Sequence, residues 1–314
     1  GYGLWALAAA PMVTSVVSLV ILLRAARWWP GPHLDIGALR QMLRFGLYAS
    51  GNNALHHLNL DRLILGFLAG PGVLGLYFLG KRLFDILSGV TVGVIASVTT
   101  VFFASIQEED SKAQIRAFRH AIRATTLLTF PVFGGLYVMA DSAVPLILGA
   151  HWLPALPAVK AFSFFGLFAG LLASSTSLAT GLGRADLAFG VDLLRNLLSA
   201  GAILWVLEDG FGAVMAALVV VHAAMLPSGY LIARKLIGIS LREYVMAPIQ
   251  PLLTMLAMVG VIVLLPKALP GLQPVPMLAL QFILAAAVYI ALSLSFSKEQ
   301  IAELRRVFAE RGAP

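Results

Sequence analysis

"GYGLWALAAAPMVTSVVSLVILL", Gly1 to Leu23, opens the chain without a single charged residue. A helix needs roughly 20 apolar residues to cross the hydrocarbon core of a bilayer, and this run has that length and that composition. No basic segment precedes it and no small-residue cleavage site follows it, so it reads as a span and not as a signal peptide. The rest of the chain repeats the theme. It is 60% hydrophobic and 12% charged over 314 residues, with a mean hydropathy of +0.90. Soluble domains carry about a quarter charged residues, so this is the composition of a membrane protein. The net charge of +7 does not point to nucleic acid, because the basic residues alternate with long apolar runs instead of forming a patch. The absence of cysteine excludes disulfide frameworks, thiol chemistry and cysteine zinc sites.

Apolar runs recur near 3–23, 43–66, 77–104, 121–148, 156–181, 185–207, 211–234, 245–265 and 276–296, about nine spans by length. Gly and Pro punctuate the connections: "AGPG" at 69–72, "GLGR" at 181–184, "EDGFG" at 208–212 and "PKALPG" at 266–271. The runs do not alternate polar with apolar residues as barrel strands do. The expected fold is therefore an all-α polytopic membrane protein. Lys and Arg set the orientation. Odd-numbered connections are rich in them (Arg24, Arg27, Arg40 and Arg44 in the first; Lys112, Arg116, Arg119 and Arg123 in the third), whereas even-numbered ones are poor. Odd loops and the C-terminus are thus expected in the cytoplasm and Gly1 outside, which suggests a chain that continues a longer one.

Two segments read as interfacial. "EEDSKAQIRAFRHAIRATT" places Ile115, Phe118 and Ile122 on one helical face and its four cations elsewhere, an amphipathic lead-in to the fourth span. "SKEQIAELRRVFAERG" begins with a capping-box pattern, Ser297 to Gln300, and is expected to form a separate tail helix.

Ionisable groups within spans are costly and mark a cavity, a pair or a pathway. The richest stretch is "GNNALHHLNLDRLILG", Gly51 to Gly66. On a helix Asn52, His56 and Asn59 fall within about 60° of one another, with Asn53, His57 and Asp61 as a neighbouring stripe. The adjacent histidines point about 100° apart, so they cannot share one metal ion as an i,i+4 pair does; no metal site is expected. A polar cavity wall and a structural polar network both remain as readings. Next, "GKRLFD" brings Lys81 and Arg82 within pairing distance of Asp85, at i,i+4 and i,i+3. With Arg62 these cations suggest either headgroup snorkelling or an anion-attracting vestibule. In "VDLLRNLLS", Asp192 and Arg195 are i,i+3 and neutralise each other, with Asn196 and Ser199 continuing the face. His222, alone in "VVVHAAM", reads as a packing residue, and the hydroxyls of "ASSTSLAT" as helix-packing groups. No P-loop or nucleophile–base arrangement is present, so neither an enzyme nor a cofactor is expected.

The order of short motifs carries a resemblance. "GYGLWALAAA", "LRFGL" (43–47) with "LDRLILG" (60–66), "AGPGVLGLYFLGKRL" (69–83), "LILGAHWLPALPAVKAF" (146–162) and "GLGRADLA" (181–188) together resemble the Wzx-type polysaccharide and oligosaccharide-lipid flippases. These belong to the multidrug/oligosaccharidyl-lipid/polysaccharide exporter superfamily. The chain departs from the family at "FFASIQEED" (102–110), where a proline and an arginine are usual. The resemblance implies twelve to fourteen helices in two six-helix lobes. This chain would then hold the last helix of an N-terminal lobe (1–26), a cytoplasmic linker (27–42), a six-helix C-terminal lobe (43–239), two further helices (240–296) and a cytoplasmic tail helix (297–314).

It also implies alternating-access flipping of an undecaprenyl-pyrophosphate-linked oligosaccharide across the bacterial inner membrane, coupled to an ion gradient. Membrane lipids and other polysaccharide assembly proteins would be its partners. Arg62, Lys81 and Arg82 would serve the diphosphate, and Asn52, Asn53, His56 and Asn59 the sugars. His57, Asp61 and Asp192 are candidates for ion coupling, and Asp85 and Arg195 belong to the same coupling or structural network. A drug/cation antiporter of the same superfamily and a membrane enzyme of lipid-linked sugar assembly are the rival readings. The first should show an acidic or aromatic cavity, the second a large outer loop.

Overall fold

The computed structural model describes residues 3–26, 60–106 and 110–311, together with positions 37, 43, 46–48 and 50–51. The chain divides into two compact units, Gly1–Arg44 and Phe45–Pro314. In the first, α1 (Gly3–Ala26) carries Arg24 in its last turn, where a cation complements the helix dipole.

The described residues of the second unit form helices joined by short turns. It comprises α2 (Leu60–Ile64), α3 (Gly70–Ser88), α4 (Val94–Ser105), α5 (Ser111–Ile147), α6 (Leu156–Gly181), α7 (Ala185–Val206), α8 (Phe211–Ala224), α9 (Leu226–Ile237), α10 (Leu241–Met246), α11 (Ile249–Ala268) and α12 (Pro274–Arg311). Seven helical stretches among the described residues are long and apolar enough to cross a membrane, and Met12–Ala25 is a shorter apolar one. This is a multi-pass α-helical membrane protein.

About nine spans were expected; the first corresponds to the shorter apolar helix Met12–Ala25, and two others fall in one stretch. Leu60–Ser105 is a continuous helical stretch of 46 residues where two spans, 43–66 and 77–104, were read. Residues 52–59 of the first lie outside the described residues. The stretch is not straight. The Tyr77 hydroxyl donates to Asp61, 16 residues earlier, although 16 residues of α-helix span about 24 Å. The chain therefore reverses between them. The reversal is at Gly70, with φ 83° and ψ 171°, a region open almost only to glycine, and Pro71 starts the returning helix. The "AGPG" turn is thus real, and it joins two packed helical arms.

A π-turn, Gly89–Gly93, joins α3 to α4, and the buried Thr91 hydroxyl donates to the Leu87 carbonyl at 2.7 Å. The extra residue matters for direction. Phe84 and Val92 are eight residues apart, which would rotate them about 80° from each other on a regular helix. With the wider turn, both line one cavity.

The helix that both α3 and α4 pack against is α6, which is buried nearly all round. Helix association in membranes rests on small residues that allow close approach. A Cβ at Gly80 would lie 2.8 Å from the Ala158 carbonyl carbon, and one at Gly181 2.7 Å from the Thr100 carbonyl oxygen. The two ends of α3–α4 are therefore clamped on α6. Beyond it, Phe130 of α5 packs with Met255, Met258 and Ile262 of α11 and with Ala285 and Tyr289 of α12.

Of the amphipathic lead-in read at 108–126, residues 111–126 form the first turns of α5, with Asp110 as its N-cap, accepting from Ala113 N–H at 2.7 Å, and Glu108 and Glu109 lie outside the described residues. Phe118 and Ile122 are buried as read, while Lys112, Arg116 and Arg119 are exposed. The separate tail helix is not formed. α12 runs unbroken from Pro274 to Arg311, because the capping pattern at Ser297 lies within a sequence that already continues the helix.

Candidate functional site

A cavity of about 460 Å³ opens within the second unit, bordered by α2, α3, α4, α6, α7 and α8. Its polar side is built from pairs. Asp61 on α2 accepts from the buried Tyr77 hydroxyl of α3. One turn along α3, Lys81 reaches into the wall and pairs with Asp85. Asp85 also receives Arg62 Nη2 at 3.5 Å, and the Arg62 guanidinium sits 5.6 Å from the Phe78 ring centroid. On α7, Arg195 Nη2 lies 2.6 Å from Oδ1 of Asp192, whose residue is only 5% exposed. Asn196 donates its amide to the Asp192 carbonyl at 2.8 Å.

The opposite side is aromatic. Phe162 meets Tyr77 and Phe165 edge-on, at centroid distances of 5.1 and 5.0 Å. The His222 ring of α8 stacks on Phe165 at 4.0 Å. His222 Nδ1 is 2.8 Å from the Leu218 carbonyl. A carbonyl can only accept, so Nδ1 carries the hydrogen and Nε2 is left as an acceptor. The floor holds the hydroxyls of Thr100, Thr176 and Thr180, which donate to the carbonyls of Ala96, Ala173 and Thr176 at 2.8 to 2.9 Å. Their hydrogens are spent on the helix, so only lone pairs remain for a guest.

The cavity thus offers acceptors, a few charge-assisted donors and apolar ring faces. Among the described residues its charge is balanced: Asp61 and Asp192 against Lys81 and Arg195. Of the residues behind the basic, amide-rich cavity expected from sequence, Lys81 lies on this wall, while Asn52, Asn53 and Asn59 lie outside the described residues. The two cations on the wall, Lys81 and Arg195, are each held by a carboxylate, as burial of a charge requires.

Of the residues singled out from sequence, Asp61, Lys81, Asp192 and Arg195 come together around the cavity. Arg62 and Asp85 do not line it and form the ion pair beside it. Arg82 is exposed and is not part of the wall. Asn52, Asn53, His56, His57 and Asn59 lie outside the described residues. Tyr77 was missed, and His222 was read as packing alone. Neither carried a signal in the sequence, because the Asp61 partner of Tyr77 and the Phe165 ring under His222 come from other helices.

Two motifs of the resemblance take definite shape. In "GLGRADLA", Gly183 has φ 73° and Arg184 makes a two-pronged pair with Asp186, both contacts at 2.8 Å. That pair raises the Arg184 pKa further above its ordinary value. In "LILGAHWLPALPAVKAF", Gly149 at φ 97° leads into the 3₁₀ turn Ala150–Ala155, and Lys160 of α6 pairs with Asp141 of α5 at 2.8 Å.

The family described as "polysaccharide biosynthesis protein" matches residues 1–157, half of the chain. The chain belongs to that family. This agrees with the Wzx-type resemblance carried by the motif order. Among curated relatives of the polysaccharide biosynthesis family, the lipopolysaccharide biosynthesis protein WzxC of Escherichia coli is 24% identical over 69% of this chain and 45% of its own. The teichuronic acid biosynthesis protein TuaB of Bacillus subtilis is 27% identical over 54% of this chain and 36% of its own. The succinoglycan biosynthesis transport protein ExoT of Rhizobium meliloti is 23% identical over 67% and 43%. The chain therefore spans less than half the length of these relatives. A solved structure of the lipid II flippase MurJ, in an inward closed conformation, superposes with a TM-score of 0.59 at 15% identity. It covers 86% of this chain and 57% of that one, and this likeness shows a shared fold.

Proposed function

We propose that the protein of which this chain is part moves lipid-linked oligosaccharide units across the bacterial inner membrane for polysaccharide assembly. The observation that carries this reading is the cavity. It is a polar, charge-balanced chamber inside an apolar bundle, with ring faces on one side and paired charges on the other. A lone polar network would need no such volume; a sugar needs both hydrogen-bonding groups and apolar faces. The names of the relatives and of the structural neighbour support the same class of substrate.

In this reading the carrier is an undecaprenyl diphosphate lipid, and movement is by alternating access with an ion gradient as the driving force. The C-terminus is cytoplasmic, the protein is a transporter and not an enzyme, and other polysaccharide assembly proteins are its partners. Lys81 and Arg195 are the cations that a diphosphate or acidic sugar would reach, by exchanging with Asp85 and Asp192. Asp61 and Asp192 are the carboxylates positioned to exchange a coupling ion. Asn52, Asn53, His56 and Asn59 are the residues that would serve the sugars, and His57 is a further candidate for ion coupling. The cations Arg62 and Arg82 sit farther along the same two arms. The test is export of polysaccharide by full-length protein carrying Asp192→Asn, Arg195→Gln, Asn52→Ala or His56→Ala. Loss of export with normal membrane levels is expected, and unimpaired export in all four would refute the assignment.

A further inference from the structure

Four cations of α5, namely Lys112, Arg116, Arg119 and Arg123, are spaced i, i+4, i+7 and i+11. They fall within about 60° of one another on one face of the helix, along about 16 Å of its length. Loop charge that only sets topology has no reason to align on one stripe. Lys112, Arg116 and Arg119 are exposed and make no ion pair with a carboxylate among the described residues. Like charges at i,i+4 repel, and Arg119 and Arg123 act on each other in this way. The arrangement stores a demand for an external anion.

What stands beside the stripe says which kind of anion. α10 is packed against this end of α5 through Phe118, whose ring stacks on Tyr244 at 6.1 Å. Its one carboxylate, Glu243, lies near enough to Arg119 to feel that charge, but its hydrogen bonds go to its own capping box, accepting from the Ser240 hydroxyl at 2.7 Å and from the Ser240 N–H at 3.2 Å. The outer side of α10 presents Leu241, Val245 and Met246, which are 56%, 49% and 56% exposed, next to the exposed Arg242. A soluble acidic partner would leave these three apolar side chains in water. A short amphipathic helix with apolar residues beside cations is the pattern of an element lying in the membrane interface.

We infer that the α5 stripe and α10 together form a binding site for anionic phospholipid headgroups, with Lys112, Arg116, Arg119 and Arg242 meeting the phosphates and Leu241, Val245 and Met246 resting in the acyl region. The site is separate from the cavity and independent of the transport reading. The test uses the purified chain in detergent micelles doped with phosphatidylglycerol or phosphatidylcholine, with bound lipid counted by native mass spectrometry. The chain should retain phosphatidylglycerol in preference. Arg116→Gln/Arg119→Gln should weaken that retention roughly thirty-fold, as expected for two surface cations. Arg116→Lys/Arg119→Lys should preserve it, and Lys267→Gln, at the far end of α11, should not change it. Equal retention of the two lipids, or undiminished phosphatidylglycerol binding by the Gln pair, would overturn the proposal. So would full competition by inorganic phosphate, which would mark a site for the free anion, or capture of an acidic soluble protein without lipid preference.

Discussion

The Tyr77 hydroxyl donates to the Asp61 carboxylate across the helical hairpin that turns at Gly70. One hydrogen bond thus joins the two arms at the wall of the cavity. Tyr77→Phe keeps the ring packing against Phe162 and deletes the only donor Tyr77 offers. The variant should fold, with stability reduced by about 1 kcal/mol, the usual worth of such a bond in a membrane bundle. Asp61→Asn retains an acceptor for Tyr77 and should be nearly as stable as wild type. Unfolding of the purified chain in mixed detergent measures both.

Asp192 and Arg195 form a pair whose acid is almost fully buried. Removing only the guanidinium leaves a buried charge without its counter-ion, which costs about 3 kcal/mol. The double variant Asp192→Asn/Arg195→Gln should therefore be more stable than Arg195→Gln alone. A double-mutant cycle on thermal unfolding checks this, and additive losses would deny that the pair is coupled.

Gly80 and Gly75 lie on the same helix, and only Gly80 meets a neighbour. A Cβ at Gly75 has nothing within 4 Å, whereas one at Gly80 meets Ala158 and Phe162. Gly75→Ala should stabilise α3 by up to about 1 kcal/mol through helix propensity. Gly80→Ala should cost about 1–3 kcal/mol through overpacking. Melting temperatures of the two variants in the same detergent should move in opposite directions.

Much of this was legible in the chain. The Gly-Pro turn at 69–72 and the Asp192–Arg195 spacing are local signals, because turn chemistry and helix periodicity depend only on near neighbours. The "VDLLRNLLS" face carried over intact, with Asn196 and Ser199 on the cavity wall beside the pair. Partner choice between helices was not legible. Asp85 was correctly matched to Lys81 at i,i+4, but its second partner, Arg62, comes from the other arm of the hairpin. Nothing in the spacing of 23 residues announces that contact. Tyr77 was hidden for the same reason, since its partner is set by how the two arms pack. The serines and threonines of "ASSTSLAT" looked interchangeable in sequence. Structure separates them: Ser174, Ser175 and Ser177 are buried, and of the group Thr176, Ser177 and Thr180 line the cavity.

Gly70 holds a backbone conformation, φ 83° and ψ 171°, that a side chain strains by about 1–3 kcal/mol. Gly70→Ala should lower the stability of the hairpin by that order. It should also weaken the Tyr77–Asp61 contact, so that adding Tyr77→Phe costs less in this background than in wild type. Unfolding of the two single variants and the double variant tests the coupling.

The central claim is that the cavity bordered by Asp61, Tyr77, Asp192 and Arg195 receives the lipid-linked oligosaccharide. Ala169 lies on its wall, from α6, and Val220 of α8 is 66% exposed on the outer surface of the second unit. The most direct measurement is translocation of a labelled lipid-linked oligosaccharide by the full-length protein in vesicles, comparing Ala169→Trp with Val220→Trp. Each variant is first checked for native elution and melting. The account predicts that Ala169→Trp abolishes translocation while Val220→Trp leaves it intact; wild-type translocation by a folded Ala169→Trp protein would contradict it.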